Sequence, residues 1–501
     1  MEGLFGREIS RKEMLALGLF GSAAMMLPLG RVARGFSIDG ESPRYTPFSA
    51  LMPNPAPLAP TSRTATTDYY TVAMREAPTE IIPGIQTRIW GYNGTYPGPT
   101  IRTRKNRKVE VRFVNNLPEG TSIHTHGAYV DGDSDGHPSD IIQPGAFKDY
   151  YFGNEQNART QWYHDHVEHH TAMHVYKGLA GFYIIEDDYE KNLKLPSGAQ
   201  DVPMVIADRL FNADGSLNYP SSVVSNEGFY GDVIAVNGKA QPRFEVAARK
   251  YRFRILNGSN ARPYKLALSN GRSFTLIGTE GGLREKPVEI TELPIWPAER
   301  YEVVIDFAKY PVGTKIVLKN LLGEQGTTDQ VMRFDVVRKE RETATVPAVL
   351  RPEADTLDAT HLPTTVAAAT VTRHWEFAKN NGLFTINGMI WDKNRIDAAP
   401  KEGATEIWEF ENGGGGWAHP VHVHLLNFKI LDRNGQPPLV HEQGWKETVI
   451  LNEGDTARVL MKWPKVPVGP KPGPYVRRYP FHCHNVEHED HDMMLQFEVN
   501  P

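Results

Sequence analysis

The 501-residue chain contains a single cysteine, Cys483, so it cannot form an intramolecular disulfide. It also lacks a basic surplus, because 55 Lys and Arg face 60 Asp and Glu for a formal net charge of −5. With no excess of positive charge to neutralise phosphates, we expect no nucleic acid partner. Long apolar runs are scarce, and beyond the N-terminus no segment is long enough to span a bilayer. We therefore expect no stable membrane anchor.

The N-terminus carries the one apolar run that needs an interpretation. Ile9–Gly30, "ISRKEMLALGLFGSAAMMLPLG", places Arg11 and Lys12 before an apolar stretch that is short for a membrane span and typical of an export signal. The "SRKEML" start is similar to a twin-arginine signal, with Lys12 in place of the second arginine. We expect export to the periplasm, the cell surface or the medium. The alternative is a cytoplasmic protein, as low cysteine content alone would suggest.

Frequent turn residues and short alternating segments indicate an all-β fold. The chain has 44 Gly and 37 Pro, and no long stretch has a helical period. Apolar and polar residues alternate as in half-buried strands in residues 107–115, 249–257, 299–307, 404–412 and 455–463. Short strands separated by turns are typical of sandwiches and barrels.

The length exceeds what one hydrophobic core usually organises, so several domains are expected. Residues 339–365 are charged and rich in Pro and Thr, which predicts a linker. A softer break lies near Lys191–Asp201. The sequence thus predicts a leader and β domains with the bounds 1–44, 45–190, 200–338 and 366–501.

Histidines separated by one residue occur four times, and only in the first and third predicted domains. The pairs are His124/His126, His164/His166, His422/His424 and His482/His484. In a strand, residues i and i+2 point to the same face, so each pair presents two imidazoles side by side. Four converging pairs would supply enough imidazoles for three metal ions with open positions for a small ligand. The middle domain, which has no such pair, is predicted to be a spacer.

Cys483 lies between His482 and His484, so strand alternation points its thiol to the opposite face. His488 and Met493 follow it at intervals of five residues, and His419 precedes the His422/His424 pair. Two histidines, one cysteine and a weak methionine form the ligand set of a blue copper site. Zinc would not require the methionine and does not transfer electrons.

These motifs resemble a three-domain multicopper oxidase of the laccase type, nearest to the bilirubin oxidase group. Beyond the ligands, the resemblance extends from Tyr70 to Pro501 and includes "NGTYPGPTI", "NARTQWYHDH" and "GWAHPVHVHLLNFKIL". It implies three cupredoxin-like Greek-key β-barrel domains, four copper ions per chain, and dioxygen as the electron acceptor.

The resemblance also implies how the ligands are divided among the coppers. His419, Cys483, His488 and Met493 would hold the type 1 copper, and His124 and His422 the type 2 copper. The binuclear type 3 pair would be held by His126, His164, His166, His424, His482 and His484.

Two carboxylates are candidates for delivering the protons that dioxygen reduction consumes. Asp135, in "DSDGHP", and Glu489, next to His488, match acidic residues of the related oxidases. The alternatives are an ordinary turn aspartate and a solvated glutamate.

Two further motifs allow a functional and a structural interpretation. Trp417 stands two residues before His419, and in bilirubin oxidases a tryptophan there contacts the type 1 site and the substrate; packing under the Gly413–Gly416 turn is the alternative. "HVEHHTAMH" adds His169, His170 and His174. For these we expect hydrogen bonding behind the ligands or surface exposure, rather than an extra copper.

The leading functional hypothesis is an oxidase of small aromatic reducing substrates such as phenols, aminophenols, aromatic amines and bilirubin-like tetrapyrroles. A second is an oxidase of cuprous, ferrous or manganous ions; the 13 methionines are dispersed, which disfavours the cuprous case. A third is a copper-binding electron carrier. A carrier needs only one copper, so the four histidine pairs count against it.

Overall fold

The computed structural model describes residues 42–219, 228–470 and 476–501. The predicted export signal, Ile9–Gly30, lies outside these ranges. Among the helices of the described residues, none has the length and apolarity needed to cross a membrane.

The first β unit is built from two sheets. Its strands are β1 Ser62–Arg63, β2 Thr67–Glu80, β3 Gln86–Tyr92, β4 Gly98–Arg104, β5 Lys108–Asn115, β6 Ile123–His126, β7 Phe147–Phe152, β8 Arg159–Asp165 and β9 Ala180–Glu186. One sheet has the order β1-β2-β5-β7, with β3 also paired to β2, and the other has the order β4-β9-β8-β6. In β5, Val109, Val111 and Phe113 are buried while their neighbours are more exposed, which confirms the predicted alternation.

The middle unit also contains two sheets. Its strands are β10 Asp201–Arg209, β11 Val233–Val236, β12 Lys239–Ala240, β13 Arg243–Ala247, β14 Lys250–Asn257, β15 Tyr264–Leu268, β16 Phe274–Thr279, β17 Gly282–Ile290, β18 Leu293–Ile295, β19 Arg300–Asp306, β20 Lys315–Asn320 and β21 Gln330–Arg338. The sheet orders are β12-β11-β10-β14-β19-β16-β17 and β13-β21-β20-β15-β18. Strands β14 and β19 confirm two more of the predicted segments.

The third unit repeats this arrangement. Its strands are β22 Val371–Asn380, β23 Leu383–Ile386, β24 Thr405–Asn412, β25 His419–Val423, β26 Lys429–Arg433, β27 Thr448–Leu451, β28 Thr456–Lys462, β29 Arg478–Cys483 and β30 Met494–Glu498. The sheet orders are β23-β22-β24-β28-β26 and β27-β25-β29-β30. Strands β24 and β28 confirm the remaining predicted segments, and each unit has its own large apolar cluster.

Helices are short in the described residues. They are α1 Thr171–Lys177, α2 Asp188–Asn192 and α3 Val486–Asp490, with 3₁₀ turns at Gly198–Gln200, Phe307–Lys309, Glu353–Thr356, Val366–Ala368 and Val440–Glu442. Helix α3 follows β29 almost directly, so it carries His488 and Glu489 close to Cys483.

The segment predicted as a linker, 339–365, has irregular backbone but packs against the other units. Arg351 donates to Asp187 at 2.6 Å, and Asp358 pairs with the fully buried Arg159 of β8. Leu350 is fully buried in an apolar cluster with residues of the middle unit. Charged residues that suggest a solvated tether in the sequence therefore make specific ion pairs in the structure.

Candidate metal centres

Two antiparallel strand pairs present the paired histidines. In the first unit, β6 and β8 place His124 directly opposite His164. In the third unit, β25 and β29 place His422 directly opposite His482. Because side chains two residues apart share a face, each strand pair forms a patch of imidazoles.

The two patches face each other, so eight buried imidazoles converge between the first and third units. His126 Nε2 lies 3.0 Å from Nε2 of both His164 and His484. His482 Nε2 lies 3.2 Å from His166 Nε2 and 3.3 Å from His424 Nε2. The eight are at most 2% exposed. They form two trios, His126/His164/His484 and His166/His424/His482, while His124 and His422 approach to 3.4 Å between their Nε2 atoms.

The outer nitrogens of six of the eight rings are engaged by oxygen acceptors, which leaves the inner nitrogens for a metal. His124 Nδ1 donates to the Asp135 carbonyl at 2.7 Å, and His164 Nδ1 donates to the Asp165 carbonyl at 2.6 Å. His422 Nδ1 donates to the Glu447 carbonyl at 3.1 Å. A proton held on Nδ1 leaves the lone pair of Nε2 directed at the centre, as in metal-binding histidines.

Burial disfavours the charged form of most of these imidazoles, and the neutral form is the one that binds metal. Burial is the largest cause lowering the pKa of His124, His126, His422 and His424 well below the usual value, and neighbouring histidines lower it further. Burial likewise lowers the pKa of His166 to about 4. The donor set, its geometry and its protonation therefore fit metal ions.

A second, smaller centre contains the only cysteine. Cys483 Sγ lies 3.4 Å from Nδ1 of both His419 and His488, and these two nitrogens are 3.2 Å apart. Met493 is fully buried, and its carbonyl accepts from the Cys483 amide at 3.1 Å. Burial raises the pKa of the Cys483 thiol, so a thiolate at this position requires a bound cation. The residues present fit a soft metal ion.

The two candidate carboxylates are buried against the large histidine cluster. Asp135 is 1% exposed, and its Oδ2 lies 2.8 Å from His424 Nδ1. Glu489 is 3% exposed, with Oε2 at 3.1 Å from His482 Nδ1 and Oε1 at 3.6 Å from His166 Nδ1. Neither is a solvated surface residue, which removes the structural alternative considered for Glu489.

The surroundings of Asp135 and Glu489 shift their pKa values in opposite directions. Burial, reinforced by the charge of Asp131, raises the pKa of Asp135 well above its ordinary value. Burial also acts to raise the pKa of Glu489, but His482 and His166 outweigh it and lower that pKa below its ordinary value. Two acids with separated pKa values at one site can hold and release protons over different ranges.

Glu447 and Arg300 also lie at the imidazole cluster, although the sequence did not indicate either of them. Glu447 is fully buried, with Oε1 at 3.1 Å from His126 Nδ1, and Arg300 Nη1 donates to the same oxygen at 2.7 Å. Arg300 belongs to β19, so the middle unit, predicted to be a spacer, supplies an ion pair behind a metal-facing histidine. Arg300 follows Glu299 and Glu447 follows Lys446, so no local pattern in the sequence indicated that either residue is buried.

Trp417 and the three histidines of the HVEHHTAMH segment that are not paired differ in how far they are exposed. Trp417 is 6% exposed and packs edge-on against His488 with ring centroids 5.7 Å apart. The side chains of His169 and His170 are 54% and 56% exposed, whereas that of His174 is buried and contacts Asp165 and Glu119.

Most of the chain matches family models and known proteins. Family models described as multicopper oxidase match residues 73–190, 179–335 and 360–501. The laccase of Bacillus subtilis (strain 168) is 35% identical to this chain. The match covers 90% of this chain and 98% of the laccase. The bilirubin oxidase of Albifimbria verrucaria is 37% identical to this chain, and the match covers 91% of this chain and 82% of the oxidase.

Solved structures agree with the sequence comparisons. The structure of the laccase from Pediococcus acidilactici superposes on this chain with a TM-score of 0.82 at 30% sequence identity. The superposition covers 92% of this chain and 96% of the laccase chain. Together with the strand order, this similarity confirms the predicted all-β fold of cupredoxin-like units.

Proposed function

Because the chain belongs to the multicopper oxidases, which are copper-dependent oxidoreductases with dioxygen as acceptor, we propose that it oxidises small aromatic reducing substrates. Phenols, aminophenols and bilirubin-like tetrapyrroles are the proposed donors, each giving one electron at a time. Dioxygen takes up four electrons and four protons and leaves as water. The similarity to proteins named laccase and bilirubin oxidase supports this choice of donors.

The observation that carries the proposal is that one strand connects the two centres. Cys483 belongs to the small centre, whereas its peptide neighbours His482 and His484 belong to the two separate imidazole trios. The thiol is therefore joined to each trio by a short stretch of backbone. A protein that only stored copper would not require this connection.

We assign the ligands as the family resemblance implies, and the grouping of the histidines around the two centres supports that assignment. His419, Cys483, His488 and Met493 would hold the type 1 copper, and His124 and His422 the type 2 copper. The two trios would hold the type 3 pair. Bound copper supplies the one-electron chemistry and the binding of dioxygen.

The remaining residues supply protons and a docking position. Asp135 and Glu489 lie at the ligand histidines, and we assign them the delivery of protons to the reduced oxygen. Trp417, which packs on His488, is proposed to contact the aromatic donor. An aromatic side chain beside a ligand histidine suits a planar donor that transfers electrons without bonding to the metal.

Oxygen uptake with a panel of donors tests this function. The purified protein should contain about four coppers per chain, whereas a carrier would contain about one. We expect higher kcat/KM for a dimethoxyphenol, an aminophenol or bilirubin than for cuprous, ferrous or manganous ions, with four one-electron donors consumed per dioxygen. A higher kcat/KM for any of the metal ions would replace the proposed substrate class with the metal-oxidase alternative.

Removing the charge of Glu447 should loosen copper in the large cluster. Glu447→Gln leaves Arg300 without its carboxylate and weakens the contact that orients His126. Loss of such an outer partner typically reduces metal affinity or activity ~10–100-fold. Dialysis against a chelator should therefore strip copper faster from this variant than from the wild type. Glu453→Gln, an exposed position in the same unit, is the control, and equal retention by both variants would remove Glu447 from the site.

A further inference from the structure

Three side chains outside the two centres form a cluster with metal-ligand chemistry, here called the surface triad: Glu119, His170 and His174. His170 directly precedes α1 and His174 lies one turn further along, so both rings are on one face of the helix. Glu119 comes from the loop after β5. Its Oε2 lies 3.2 Å from His174 Nε2 and 3.5 Å from His170 Nδ1. One ligand atom from each residue lies within 4.8 Å of the others.

A fixed carboxylate supports the triad from behind. Asp165 Oδ1 lies 2.9 Å from His174 Nδ1, and the carboxylate also accepts the amides of Ser122 at 3.1 Å and Val167 at 3.2 Å. This contact orients the His174 ring with Nε2 toward Glu119. A histidine held by a carboxylate on one nitrogen and open on the other is the arrangement found at metal sites.

The electrostatics of the triad favour a cation. Burial alone would lower the pKa of His174, but the carboxylates of Asp165 and Glu119 outweigh it and raise that pKa to about 9. A divalent ion could therefore replace the proton on His174 between two carboxylates.

Access to the triad is open on one side. The side chains of His170 and Glu119 are 56% and 42% exposed, whereas that of His174 is fully buried. One anchored ligand and two solvent-facing ligands leave room for water or an exogenous ligand on the metal. Such a site exchanges its ion with solution, unlike the two buried centres.

We propose that the surface triad is a separate binding site for a divalent transition-metal ion, with copper(II) preferred. Two imidazoles and a carboxylate form a nitrogen-rich donor set, for which copper(II) has the highest affinity among the divalent first-row metals. None of the three residues belongs to the ligand sets assigned above, so the site does not depend on the proposed substrate.

Equilibrium dialysis of the copper-loaded enzyme against glycine-buffered copper(II) tests the site. The wild type should bind one copper beyond its oxidase complement, with a new nitrogen-containing signal in the paramagnetic resonance spectrum. His170→Ala and Glu119→Gln should each weaken that binding by at least ~10-fold, since even loss of an outer partner costs about 10–100-fold. Oxygen uptake should be unchanged in both variants.

His169→Ala is the matched control, because His169 adjoins His170 in sequence and is exposed to a similar extent but does not belong to the triad. It should bind the additional copper as the wild type does. The proposal is overturned if the wild type binds no further copper, or if His170→Ala and His169→Ala lose it equally. It is also overturned if the additional copper persists in both triad variants.

Discussion

Replacing Cys483 with serine should abolish the blue colour and reduce dioxygen uptake at least ~100-fold, because losing a direct ligand costs more than losing an outer partner. The thiol lies 3.4 Å from both His419 Nδ1 and His488 Nδ1 in a fully buried site. A serine hydroxyl is a hard, protonated donor that does not replace a soft thiolate on copper. The substitution also removes the thiol, from which the backbone connects the small centre to His482 and His484.

The visible spectrum, copper content and oxygen uptake of Cys483→Ser separate these effects. We expect one copper fewer per chain, with the copper of the imidazole cluster retained because its ligands are unchanged. Met494→Leu is the control, since Met494 is buried next to Met493 but strand alternation points it away from the small centre. It should keep its colour and turnover. Normal turnover in Cys483→Ser would contradict the assignment of this residue to electron entry.

Glu489→Gln should retain the copper but slow dioxygen reduction by about 10²-fold or more, the usual contribution of a positioned acid or base. Glutamine keeps the shape of the side chain and an oxygen acceptor near His482 Nδ1, which Glu489 Oε2 approaches to 3.1 Å. What it loses is the ability to bind and release a proton. The defect should therefore fall on kcat and leave the KM for the aromatic donor nearly unchanged.

Reoxidation of the fully reduced enzyme measures this step without the donor. In Glu489→Gln it should be slow, with an altered pH profile that a purely structural role would not produce. Glu487→Gln is the matched control, because Glu487 is equally buried on α3 but contacts Tyr219 and Asn260. Burial raises the pKa of Glu487 to about 7, so glutamine resembles its protonated form. Wild-type reoxidation in Glu489→Gln would remove that residue from the proton path.

Much of the fold and of the metal centres could be predicted from short-range patterns. Apolar residues recur at every second position in 107–115, and most of this segment forms β5. The same alternation of side-chain direction places His124 and His126 on one face of β6. Alternation also separates Cys483 from its two neighbours, which join different trios. These predictions hold because side-chain direction along a strand is set by local backbone geometry.

Residues that support the centres could not be predicted in this way. Glu447 meets His126 across 321 positions of sequence, and Arg300 meets Glu447 across 147. Nothing in the residues around Glu119 indicates that its carboxylate faces His170 and His174. The charged segment 339–365 likewise gave no sign that Asp358 pairs with the buried Arg159.

The sequence by itself determined the type of protein: the β strands, the histidines and the cysteine proposed as metal ligands, and the face on which each lies. Only the tertiary structure decided which residues stand behind those side chains, that the middle unit reaches the cluster through Arg300, and that Glu119, His170 and His174 gather at the surface. The physical reason is that a strand's periodicity fixes direction along the chain, whereas the partner of a buried charge is fixed by how separate sheets pack, and residue spacing does not encode that packing.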